Sequence, residues 1–72
     1  MERDVPIRGD MIRLGQLLKL AGKSDAGGEA AAYLASAAVT VNGEPESRRG
    51  RQLHPGDEVV AGGETLRLVA RG

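Results

Sequence analysis

The chain changes its hydrophobic rhythm twice. Asp4 to Arg8 alternates weakly, with Val5 and Ile7 apolar, and reads as a short edge strand because Pro6 has no N–H to give a ladder. Gly9 and Asp10 interrupt it. From Met11 the period becomes helical: Met11, Leu14, Leu17, Leu18 and Ala21 share one face, and Gly22 stands where a left-handed cap is preferred. Lys23 to Gly28 connects to a second expected helix, roughly Gly27 to Ala38. Asp25 is placed to cap it, Glu29 suits its first turn, and Ala30, Tyr33, Leu34 and Ala37 form its apolar stripe. A short connector predicts that the two helices pack at a steep angle.

The period then falls to two. Val39 to Val41 runs into Asn42-Gly43, a strong hairpin signal, and Pro45 puts the return strand at an edge. Arg48 to Arg51 forms a basic loop around Gly50, and Pro55-Gly56 fits a type II turn. Glu58 to Ala61 and Glu64 to Val69 make a second hairpin across Gly62-Gly63, with Leu66, Leu68 and Ala70 alternating against Arg67 and Arg71. The expected fold is therefore α+β: two packed helices followed by a small, mainly antiparallel sheet, in a single domain spanning 1–72.

Composition narrows the function classes. Seventy-two residues without Phe or Trp leave a thin core of Ala, Val and Leu. The absence of cysteine excludes a disulfide framework, a thiolate metal site and a Cys nucleophile. With no apolar leader in Met1 to Asp10 and no apolar run of membrane-spanning length, a cytoplasmic protein is expected, without a membrane partner. Net charge is zero, yet its distribution is uneven. Met11 to Ser24 carries +3 from Arg13, Lys19 and Lys23 with no acid. Ser47 to Gly56 carries +3 from Arg48, Arg49 and Arg51 with no acid.

Those blocks are the candidate chemistry. Guanidinium groups suit phosphate because a planar fork donates two hydrogen bonds at once. The plain alternatives are a solvated loop paired to Glu44 and Glu46, and an ordinary charged helix face. Gly27-Gly28 at a helix start would let a phosphate approach backbone N–H groups, or would only loosen that start. Catalysis is not expected: His54 is the sole histidine and reads as a solvated turn residue. Gly22-Lys23-Ser24 is not a phosphate loop, since Leu17 stands where that motif needs glycine. No cofactor and no metal are expected. A lone Tyr33, read as core, gives no stacking platform, so contacts to the phosphates and 2′-hydroxyls of structured RNA fit better than single-strand reading. About five such contacts would give a slope of log affinity on log salt of about −3 to −5.

In order, Arg13-Leu14-Gly15-Gln16-Leu17-Leu18 through Gly22, Gly28-Glu29-Ala30, Val39-Thr40-Val41-Asn42-Gly43 and Pro55-Gly56-Asp57 resemble the RNA-binding domain named after small-subunit ribosomal protein four, the S-four domain or alpha-L motif. The likeness runs from about Val5 to Ala61. Ser24 to Ala30 and the Glu46 to Arg51 loop look like its small stand-alone bacterial branch. The resemblance implies RNA held across the helices and the adjacent loop. Arg13, the connector positions Ser24, Gly27 and Gly28, and Arg48, Arg49 and Arg51 are then contacts; Lys19 and Lys23 join them on charge alone. The chain departs from the family pattern at Ala31, where Lys or Arg is common on the second helix, at Ala26 for a capping Ser, at Ala37 for a closing Gly and at His54, a position often basic; these changes remove charge from the expected RNA face. The expected partner is structured RNA, ribosomal or transfer RNA, bound by a monomer acting with a ribosomal subunit or an RNA-modifying enzyme. The alternative is a protein-interaction module that kept the fold and lost the RNA.

Overall fold

The computed structural model describes residues 2–23, 33–34 and 38–71. Its elements run in the order β1 (Glu2–Ile7), β2 (Ile12–Arg13), α1 (Leu14–Leu20), β3 (Thr40–Val41), β4 (Glu44–Pro45), β5 (Gln52–Leu53), β6 (Glu58–Ala61) and β7 (Glu64–Ala70). One sheet has the strand order β1-β7-β6-β3-β4, and β2 pairs with β5 in a separate two-stranded ladder.

This corrects the expected fold class. Two packed helices followed by a mainly antiparallel sheet do not describe the molecule. Among the described residues there is one seven-residue helix, and the main sheet is mixed, because β1 lies parallel to β7 with Glu2 opposite Thr65 and Ile7 opposite Ala70. The sheet therefore takes strands from both sides of α1 in the sequence. The cause is burial: Val5 and Ile7 join Leu66 and Leu68 in one core, so β1 is a full member of the sheet. The second helix falls mostly outside the described residues, as do Asp25, Ala26, Glu29, Ala30, Ala31 and Ala37. Tyr33 and Leu34 are helical, and Ala38 is not.

The helix also begins later than its apolar period implied. Arg13 has extended backbone (φ −90°, ψ 151°), and Ile12 and Arg13 pair with Leu53 and Gln52. Ile12 is buried in this ladder, whereas Met11, assigned to the helix face, is exposed. A pattern of buried Ile12 between exposed Met11 and Arg13 has strand rhythm. It is hidden in the sequence because Met11 happens to continue the helical period.

A helix this short does not persist alone. It is held by Leu14, Leu17 and Leu18, all fully buried, each stabilising the fold by about 2 kcal/mol relative to exposure. At its C-terminus Gly22 (φ 77°) permits a left-handed cap, in which the Gly22 N–H donates to the Lys19 carbonyl and the Lys23 N–H to the Leu18 carbonyl. The hairpins follow expectation. Asn42 and Gly43 both have positive φ, as do Gly62 and Gly63, and β1 and β4 are the sheet edges. Leu66 and Leu68 are buried while Arg67 is exposed, but Ala70, assigned to the buried face, is exposed. Tyr33 packs partly buried against the core. No helix among the described residues is long and apolar enough to cross a membrane.

Candidate functional site

Arg13 and the arginine loop meet where α1 begins. The Leu14 and Gly15 N–H groups donate to the carbonyls of Arg51 and Arg49 at 2.9 and 2.8 Å. Helix starts leave such donors without intrahelical partners, and here the arginine loop supplies the acceptors. The amides at the head of α1 are thus engaged within the protein. What the junction offers to the outside is its guanidinium groups. Arg13 Nη1 donates to the Gly50 carbonyl at 3.1 Å, and the Arg13 N–H donates to Gln16 Oε1 at 3.3 Å.

The loop itself is organised by Glu46. Its backbone N–H donates to the Val39 carbonyl, which anchors it beyond the β3–β4 hairpin. Its side chain, only 7% exposed, is covered by its own loop, and its carboxylate accepts from the Ser47 and Arg48 backbone N–H groups. The same carboxylate accepts from Arg48 Nε (3.0 Å) and Nη2 (3.3 Å) and from Arg51 Nη1 (2.8 Å). The Arg48 N–H···Glu46 and Arg51 N–H···Glu46 contacts, with the backbone donors, stabilise the ionised carboxyl and lower its pKa from 4.5 to about 2. Arg48 in turn is held more firmly protonated by its hydrogen bond to Glu46.

Pairing to Glu46 was the plain alternative for this loop, and it is present. It does not hide the cations: Arg48 and Arg51 share the single Glu46 carboxylate, and Arg48 remains 76% exposed. An open cleft of about 560 Å³ lies alongside, lined by Arg48, Gly50, Arg51, Gln52 and His54. His54 is held there by a pinned turn. Asp57 Oδ2 accepts from the His54 N–H at 2.8 Å, while Asp57 Oδ1 accepts from Asn42 Nδ2. Chemically, the arrangement presents fixed multidentate donors for phosphate next to two side chains, Gln52 and His54, that can meet a sugar or base edge.

Of the residues singled out in the sequence, Arg13, Arg48, Arg49 and Arg51 come together. Lys19 does not join them; it stands at the far end of α1, roughly 9 Å along the axis from Arg13, beside Ile12, Gln16 and Leu20. Lys23 is engaged elsewhere, its Nζ 3.0 Å from Glu64 Oε1. Ser24, Gly27 and Gly28 lie outside the described residues. Gln52, His54 and the organising Glu46 were not chosen from the sequence. Glu46 carried a signal, three arginines within five residues of a carboxylate, but nothing local showed that two of them would close over it. Among the described residues, no group of three metal-ligating side chains is gathered.

Residues 5–69 match the sequence profile of a family described as "S4 domain". A curated relative from Bacillus subtilis (strain 168), "Probable ribosome maturation protein RlbA", is 48% identical over 59 residues, covering 82% of this chain and 83% of the relative.

Proposed function

The chain belongs to the S4 domain family, and from that premise we propose that it binds structured RNA, without catalysis, through the arginine-lined cleft. Arg13, Arg48, Arg49 and Arg51 are the phosphate contacts in this reading. Arg48 and Arg51 act as forks whose directions are set by Glu46, and Gln52 and His54 meet the adjoining nucleotide. The single observation that carries it is the meeting of Arg13 with the Arg48 to Arg51 loop at the start of α1, with one carboxylate, Glu46, aligning two guanidinium groups beside an open cleft.

The ribosome-maturation relative makes ribosomal RNA the first target, and with it a role on the bacterial ribosome in the cytoplasm. Transfer RNA is the second target. Electrostatic contacts to phosphate predict binding that weakens steeply with salt. Fluorescence anisotropy with labelled ribosomal RNA fragments and transfer RNA at low salt tests the reading. Binding that collapses when Arg48, Arg49 and Arg51 are replaced by alanine supports it. No binding at low salt, or binding indifferent to those substitutions, overturns it.

A further inference from the structure

A second face has a different chemistry. Leu20 is 64% exposed and Met11 38%, both large apolar side chains. Two adjoining depressions share Ile12, Gln16 and Leu20. One, of about 300 Å³, extends past Met11 to Arg8 and Arg71; the other extends to Lys19. Among the described residues, no carboxylate lines either depression and none of Arg8, Lys19 and Arg71 forms an ion pair. Apolar groups in a concavity ringed by unpaired cations call for a partner that is both acidic and apolar.

We infer that this groove docks an acidic amphipathic segment of a partner protein, its leucine-type side chains seated against Met11, Ile12 and Leu20 and its carboxylates facing Arg8, Lys19 and Arg71. Helix-in-groove recognition of this kind uses apolar anchors at i, i+4 and i+7 with charge at the rim. A second copy of the chain is a poor occupant, because a two-fold interface would set the same cations against each other. RNA would satisfy the cations but leave Leu20 and Met11 without apolar contact. An anionic membrane is flat, whereas these apolar groups line a depression. The inference is independent of the arginine cleft and explains why Lys19 stands apart from it.

The test uses the full chain with 13C-labelled methyl groups and one stated probe. The probe is an amidated 14-residue helical peptide with leucine at positions i, i+4 and i+7 and glutamate at most others. Chemical-shift changes are expected at the Met11 and Leu20 methyls. Leu20→Glu should weaken binding at least tenfold and Lys19→Glu about fivefold. Leu20 is exposed, so its variant keeps the fold, which circular dichroism checks. The Arg48/Arg49/Arg51 triple alanine variant should bind the peptide as before, separating this proposal from the RNA reading. The inference is overturned if millimolar peptide shifts neither methyl, if a serine-for-leucine peptide binds equally well, or if Leu20→Glu changes nothing. It is likewise overturned if hairpin RNA or phosphatidylglycerol vesicles perturb the same two methyls as strongly.

Discussion

Two carboxylates in this protein each hold two cations, and they do different work. Glu46 gathers Arg48 and Arg51; Glu64 gathers Arg3 and Lys23. The charge arithmetic is the same. Glu46 is itself fixed by backbone donors, and its arginines border an open cleft. Glu64 sits on β7 and joins strand to helix: Arg3 on β1 also donates to the Ala21 carbonyl at the end of α1, and Lys23 follows the Gly22 cap. One cluster aims cations outward, and the other clamps α1 to the sheet edge. Counting basic residues cannot separate these roles; what a carboxylate is anchored to can.

The contrast breaks most sharply under mutation. Replacing Arg48, Arg49 and Arg51 together with alanine should cost about a hundredfold or more in RNA affinity, each charge-assisted contact being worth somewhat over 1 kcal/mol. The melting temperature should also fall by a few degrees, because Glu46 loses the side-chain donors that hold it ionised, which differential scanning fluorimetry reads. Replacing Arg3 and Lys23 should lower the melting temperature similarly but leave RNA affinity within about threefold.

Salt sharpens the same comparison. Four phosphate contacts predict a slope of log affinity on log salt of about −3, and the triple variant should flatten it by roughly 0.7 to 0.9 for each arginine removed. The Arg3/Lys23 variant should keep the parent slope. A titration series from low to moderate salt measures both.

Acid should then act on both clusters. Both carboxyls have folded pKa values depressed below the ordinary 4.5, Glu46 to about 2 through hydrogen bonds from Arg48 and Arg51, and Glu64 downward through its hydrogen bond from Lys23. A depressed carboxyl stabilises the fold fully above the unfolded pKa and loses that contribution as pH falls through the folded one. The loss therefore lies between pH 4.5 and about 2 for Glu46. NMR titration of its side-chain carboxyl carbon should show a midpoint well below the ordinary value. The smallest effect is expected for Arg67→Ala. Arg67 pairs with Glu58 on the exposed face of the sheet, away from both clusters, so RNA affinity and melting temperature should stay within error.

The parts legible in the sequence were those whose cause is local. Asn42-Gly43 and Gly62-Gly63 need positive φ, Gly22 needs a left-handed cap, and Leu66 and Leu68 need one face; each left a sign within a few residues. Of the cations expected to converge with the Arg48 to Arg51 loop, Arg13 meets it, whereas Lys19 and Lys23 do not. The remainder depends on distant partners. Nothing near Ile12 announces that it pairs with Leu53, and nothing near Val5 announces a parallel neighbour more than sixty residues away. Lys23 was placed with the RNA-facing block because Glu64, which engages it, lies on β7, 41 residues further along the chain. Parallel pairing leaves no turn signal, and long-range ion pairs leave none either.

The parallel seam between β1 and β7 has a consequence for how the protein is made. Synthesis delivers β1 early and its partner only after every other described element, so the emerging polypeptide carries Val5 and Ile7 without their final cover until β7 clears the exit tunnel. Closing so large a loop is slow compared with forming the local hairpins, and the outer seam should zip last.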